Sequence, residues 1–322
     1  MKFRTELNIT PLEKRIDYSS KIFAIGSCFA QHIAERLSVR KFDTVTSPLG
    51  IAFNPASIAS SLCRYWNGEH IEEEQFSQQN GLWTTFEAHS QLAFPSKEEA
   101  KAAVDNAIMQ GQAALHNSNF ILITFGTAWV YRLKSTGKIV ANCHKYHRDM
   151  FCREALSIED IVGLYEPLFE TIFCDKEVIF TVSPIRHLGD GLEENFLSKS
   201  LLRVAIAELC RRHNNAHYFA AYELLMDDLR DYRFYADDML HPSQQAAEYI
   251  WQKFFTATIS ELAKSICERV ERIVKAAQHR PLNTDSEEFK RFCRQQLEAI
   301  GEFPSLDFSQ EVQHFRQYID KI

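Results

Sequence analysis

The sequence predicts an α/β protein built as a three-layer α/β/α sandwich around a doubly wound parallel sheet, followed by a helical extension. Three observations carry this. Ile22 to Ile25, Phe120 to Phe125 and Val178 to Val182 are predominantly apolar runs of strand length, the pattern of strands covered on both faces. The first two stop at glycines, Gly26 and Gly126, and the third at Ser183-Pro184. Helix-periodic segments lie between them, and such alternation gives a parallel sheet whose site is built from loops at the strands' carboxyl ends.

The elements follow in order. Residues 1–20 are mixed in charge, contain Pro11, and are expected to wrap the surface before the first strand. After Ser27, the residues Phe29, Ile33 and Leu37 recur at four-residue spacing, so an amphipathic helix starts at the serine. Phe42 to Thr46 can form a second strand, closed by Ser47-Pro48-Leu49-Gly50, and Asn54-Pro55 reads as the cap and first residue of a helix to about Trp66. Residues 67–95 form an irregular insertion with a small hairpin, because Leu82 to Phe86 has β composition after the turn signal Asn80-Gly81. Ser96 with Glu99 makes a capping box for a helix ending near Leu115. Trp129 to Tyr131 and Lys138 to Val140 flank Ser135 to Gly137 as a second hairpin. Ser157 with Asp160 opens a helix to about Phe173 with a kink at Pro167, Glu193 to Arg212 is a long helix, and His217 to Ala221 is the last strand. The polar, aromatic segment Asp231 to His241 reads as a loop before a helix begun by Pro242 and Ser243. From about Lys264 the chain is charged and helical, broken at Pro281 and resumed at Ser286, which divides it into residues 1–263 and a helical extension, 264–322.

Composition narrows the function classes. The 322 residues are 45% hydrophobic and 25% charged, as in ordinary globular proteins. The net charge is −7 and Lys and Arg are scattered rather than striped, which argues against nucleic acid as a partner. No stretch reaches the roughly 20 apolar residues of a membrane span, and the amino terminus lacks the apolar core of a secretory signal. The expected location is the cytoplasm. Eight dispersed cysteines fit reduced thiols rather than a disulfide framework.

Two constellations bear on chemistry. Ser27 lies between the end of a sheet strand and the start of a helix, where free N–H groups favour developing negative charge; it suits a nucleophile, and equally a helix cap. Asp238 and His241, three apart at the mouth of a helix, have the residue types of an orienter and general base for a serine, although Asp-x-x-His also occurs as a cap.

Taken together, Gly26-Ser27, Gly50, Gly126 and the late Asp238-x-x-His241 resemble the SGNH superfamily of esterases and lipases, with its flavodoxin-like sheet. Gly26-Ser27-Cys28-Phe29-Ala30 spells the signature of the GSCFA family, and the likeness extends over residues 20–260, including Thr124 to Trp129 and Asn142-Cys143-His144-Lys145. The resemblance implies that Ser27 attacks an ester carbonyl, His241 takes and returns its proton, and Asp238 fixes the imidazole tautomer, with Asp237 as the fallback. It also implies an oxyanion hole made from the backbone N–H groups of Ser27 and Gly50. One departure stands out: the superfamily places an Asn two residues after the third-block Gly, and this chain has Gly126-Thr127-Ala128. Asn142 is the candidate substitute, with Thr127 or His144 behind it.

The remaining polar candidates are His89, His144, Lys145 and His187, read as substrate-facing or as ordinary hydrogen-bonded side chains. Cys143, His144, His147 and Cys152 match no common zinc spacing, so no metal is expected. A P-loop, a Gly-x-Gly-x-x-Gly pattern and a Gly-x-Ser-x-Gly elbow are missing, and no cofactor is expected. The expected activity is hydrolysis of a small or carbohydrate-linked acyl ester through an acyl-enzyme. An acyltransferase using the same residues and an inactive binding module of the same fold are the alternatives.

Overall fold

In the computed structural model, which describes residues 4–279, 281 and 284–319, the apolar runs form the centre of one parallel sheet. β1 (Lys21–Gly26) leads into α1 (Cys28–Val39), followed by β2 (Asp43–Thr46) and α2 (Pro55–Asn67). The hairpin β3 (Phe76–Gln79) and β4 (Leu82–Thr85) precedes α3 (Lys97–Asn117) and β5 (Phe120–Phe125). Three outlying strands follow, β6 (Trp129–Leu133), β7 (Ile139–Val140) and β8 (Phe151–Ala155), then α4 (Ile158–Thr171), β9 (Glu177–Val182), α5 (Leu192–Arg212) and β10 (Ala216–Tyr218). α6 (Ala221–Glu223) runs into a π-helical stretch, Leu224–Leu229. α7 (Gln244–Thr258), α8 (Glu261–Gln278), α9 (Glu287–Gly301) and α10 (Ser309–Ile319) complete the described chain.

The sheet order is β2-β1-β5-β9-β10, all parallel. The chain steps from β1 outward to β2, then returns to the other side of β1 to lay down β5, β9 and β10. The reversal falls between β1 and β5, and at such a switch point the loops on the carboxyl side diverge and open a crevice. Strand alternation divides the core. Phe23, Ile25, Ile121 and Ile123 face the layer of α2 to α5, while Ile22, Ala24, Phe120 and Leu122 face α1 and α7. A third core joins Val270 and Ile273 of α8 to Phe289 and Cys293 of α9 and Phe315 of α10. α8 serves two cores, since its Ala263 and Cys267 belong to the second.

Local signals in the sequence place the helices. Ser27, Asn54, Ser96, Ser157 and Ser243 each accept an N–H of the turn they cap, and at Ser157 the bond is returned by Asp160. Pro167 lies inside α4, and the Thr171 hydroxyl donates to the Pro167 carbonyl one turn on. The structure departs from expectation at three places. The second hairpin gains a third strand, β8, too polar to read as one. β10 stops at Tyr218, because Ala221 already begins a helix. The tail has a second break, between α9 and α10, around Pro304. All eight cysteines are free thiols. No helix among the described residues is long and apolar enough to cross a membrane.

Candidate active site

Ser27 follows β1 at the switch point. Gly26 adopts φ +134°, a conformation open to glycine, and a β-carbon there would come within 2.2 Å of the Thr124 carbonyl oxygen. The tight approach lets the Ser27 N–H donate to that same oxygen at 3.1 Å. The Ser27 hydroxyl caps α1, accepting the Phe29 N–H at 3.4 Å, and the residue is 2% exposed. A pocket of about 220 Å³ opens beside it, lined by Ser27, Thr46, Ser47, Gly50, Ile51 and Gln91 among others.

The loop after β2 forms one wall. Ser47 N–H donates to Ala24 O (2.8 Å) and Ala52 N–H to Gly26 O (3.1 Å), so the loop crosses the end of β1; the Phe53 carbonyl then receives Gly126 N–H (2.7 Å) and Thr127 N–H (3.0 Å). The buried Tyr65 hydroxyl braces it, accepting Leu49 N–H at 2.7 Å and lying 2.9 Å from Ser47 Oγ. Gly50, at φ +90°, donates its N–H to Ser47 O at 3.0 Å. Both expected oxyanion donors therefore already hold carbonyl acceptors.

His241 and Asp238 come from the loop before α7. Asp238 Oδ1 accepts the N–H groups of Leu240 (2.9 Å) and His241 (3.0 Å), and Oδ2 lies 2.6 Å from His241 Nδ1. The backbone N–H of His241 above all, with that of Leu240 and the imidazole, holds the Asp238 carboxyl down at about 2. An ionised carboxylate only accepts, so Nδ1 carries the proton and Nε2 is left as the base. Asp238 is the carboxylate that meets the His241 imidazole. The loop docks on the end of β9, where Arg186 N–H donates to Leu240 O at 3.2 Å and the Arg186 guanidinium packs 4.0 Å from the Tyr235 ring. His241 is 45% exposed at its side chain, and among the described residues no hydrogen bond joins it to Ser27.

The other expected residues are distributed around these two. His89 packs its Cβ against Gly50, where an added methyl would come within 2.4 Å, and its Nδ1 accepts Gln91 N–H at 3.4 Å. His187, in the turn after β9, lies edge-on to Phe53, with Nε2 3.4 Å from where a Gly126 β-carbon would be. These two touch glycines of the loops around Ser27, Gly50 and Gly126. His144 does not. It is buried, its Nε2 donates to Thr85 O at 2.7 Å, and Ser90 Oγ lies 3.1 Å from Nδ1. Burial pushes its pKa down, and as a neutral ring it clamps β4 to the segment that follows. Asn142 is turned the same way, accepting His144 N–H at 2.8 Å and reaching Ser90 Oγ at 3.4 Å, while Lys145 is exposed. Thr127 faces α5, with Oγ1 3.1 Å from Ser198 Oγ. None of the three oxyanion substitutes, Asn142, Thr127 or His144, has its polar side-chain atoms free for Ser27, because each is engaged in holding a loop.

Sequence reasoning missed Lys199. It is 1% exposed and donates to Gly126 O at 2.7 Å and Ser183 O at 2.8 Å, while burial pulls its ammonium down to about 7. The signal was present: Asn195, Ser198, Lys199, Leu202 and Ile206 share one helical stripe, and a lysine within a buried stripe needs acceptors.

A serine at the switch point of a doubly wound sheet, with an Asp–His pair on a loop at the same edge, defines an α/β protein whose site lies at the strands' carboxyl ends. The model of the GSCFA family matches residues 21–254, and that of the GSCFA domain protein, C-terminal domain, matches residues 270–321. The chain belongs to the GSCFA family. The first match ends within α7 and the second begins within α8, the helix shared by the second and third cores. No curated protein and no solved structure matches the chain.

Proposed function

We propose that the protein is a serine ester hydrolase of SGNH type. The observation that carries this reading is the Asp238–His241 pair, 2.6 Å apart and docked on the end of β9, on the same sheet edge as Ser27. His241 Nε2 takes the Ser27 proton as Oγ attacks the ester carbonyl; the alcohol leaves with that proton, and water repeats the steps on the acyl-serine. The hydrogen bond between Ser27 and His241 forms as substrate seats, in keeping with catalytic contacts that tighten only in the Michaelis complex. The oxyanion shares the N–H groups of Ser27 and Gly50 with their present acceptors. One missing oxyanion donor is worth ~3 kcal/mol, so the absence of Asn at position 128 makes this a slow enzyme or one that needs its substrate to complete the hole. The substrate class is a small or carbohydrate-linked acyl ester, and the eight free thiols support a cytoplasmic setting.

The engaged N–H groups of Ser27 and Gly50 favour a second reading, a binding module that keeps the fold without turnover. Intact-protein mass after exposure to a fluorophosphonate separates the two. One adduct on the wild type, lost in Ser27→Ala and His241→Ala, supports the hydrolase; a folded, unlabelled wild type overturns it. An added alcohol acceptor that diverts product from acid to new ester would make the enzyme an acyltransferase.

A further inference from the structure

Lys199 places an amine in the core, and no carboxylate pairs with it among the ion pairs of the described residues. Its acceptors are two backbone carbonyls, one on each side of the crevice. The last ladder bond between β5 and β9 runs from Ser183 N–H to Phe125 O at 2.8 Å. Past it, the two chains separate into different halves of the site and are joined through the Lys199 ammonium. On one side, Gly126 N–H binds Phe53 O in the loop that carries Gly50, and Thr124, two residues earlier, accepts the Ser27 N–H. On the other side, Ser183 begins the turn in which Arg186 N–H holds Leu240 O, next to His241. A methionine would fill the same stripe with no charge to desolvate, so the amine is there for the carbonyls it meets.

We propose that Lys199 is a positioning residue that sets the spacing between the Ser27 half and the His241 half of the site by fixing the Gly126 and Ser183 carbonyls on one ammonium. The proposal rests on the reading of Ser27 and His241 as the reacting pair. Lys199 touches neither, and acts through the two loops.

Lys199→Met keeps the length of the stem and removes the donors. Two measurements on the full chain test it: fluorophosphonate labelling resolved into a maximal rate constant and a half-saturating concentration, and hydrogen–deuterium exchange of the unliganded protein. The expected result is a fall of tenfold or more in the maximal rate with half-saturation changed less than twofold, together with faster exchange in residues 126–129, 183–187 and 236–241 and none in α9 or α10. Wild-type labelling, or a slower rate without faster exchange in those loops, overturns the positioning role. A loss of stability alone would speed exchange throughout, and that outcome also overturns it. Should the wild type itself resist labelling, the hydrolase reading falls, and exchange alone decides: faster exchange confined to the three loops upholds the coupling and unchanged exchange ends it. If Lys199→Met does not fold, Lys199→Arg, which keeps donors on a wider head group, is read the same way, with a smaller fall in rate expected and an unchanged rate overturning the proposal.

Discussion

Gly26 lies so close to Thr124 that a β-carbon on it would stand 2.2 Å from the Thr124 carbonyl oxygen, the atom that also accepts the Ser27 N–H. The clash is with backbone on a central strand, which cannot move aside as a flexible side chain could, and φ +134° adds strain for any L side chain. Gly26→Ala is expected to destabilise the fold by about 3 kcal/mol or more, measured by urea unfolding, and to abolish labelling of Ser27. Wild-type stability would mean that β1 and β5 can part without cost.

Tyr65 tests the wall of the pocket. Its hydroxyl is the acceptor for Leu49 N–H, in a residue that is itself buried. Tyr65→Phe keeps the ring and its edge contact with Phe23 but leaves that N–H without a partner, at a cost of roughly 1–3 kcal/mol. The loop carrying Gly50 should loosen, seen as faster amide exchange in residues 47–52 and slower labelling with the fold otherwise unchanged.

The framework was legible because its signals are local. The three central strands, β1, β5 and β9, follow from apolar runs and their punctuation, and the helix starts from caps whose partners lie two or three residues on. Asp238 and His241 were legible for the same reason, their bond spanning three residues within one loop. What could not be read depends on carbonyls distant in sequence. Nothing in Gly50 or Ser27 announces that their N–H groups already have acceptors, and nothing in the run from Asn142 to Lys145 says that His144 turns inward to Thr85 and Ser90. Lys199 reaches carbonyls 73 and 16 residues away, so its stripe position marks it as buried without saying what it holds.

Lys199 also gives stability a pH dependence with a definite sign. Its ammonium titrates at about 7 in the folded chain and near 10.4 when unfolded, so between those values the unfolded chain binds more protons and stability rises with pH. Below about 7 both states are charged and the whole desolvation cost remains. Buried thiols and phenols, pushed up by burial as at Cys210 and Tyr165, act the opposite way but are common to wild type and variant. The difference in unfolding free energy between wild type and Lys199→Met should therefore move in favour of the wild type by up to about 2 kcal/mol between pH 7 and 9, read by urea titration. A difference that stays flat across that range would mean that the two carbonyls keep the ammonium charged throughout.

Asp238 determines which nitrogen of His241 is basic. In Asp238→Asn, an amide oxygen aimed at Nδ1 leaves the NH₂ facing the N–H groups of Leu240 and His241, and the reverse orientation offers Nδ1 a donor, which moves the imidazole proton to Nε2. The first orientation breaks the two backbone bonds that shape the loop and the second removes the base, so labelling of Ser27 should fall about 10³-fold or more with the fold intact. The wild-type carboxyl is held at about 2, below its unfolded value, so the stabilisation it gives the loop is present above pH 4 and is lost only as pH falls through about 2. Labelling rates measured from pH 4 to 8 should consequently show no contribution from protonation of Asp238. A wild-type rate in Asp238→Asn, accompanied by a loss in Asp237→Asn, would transfer the orienting role to Asp237.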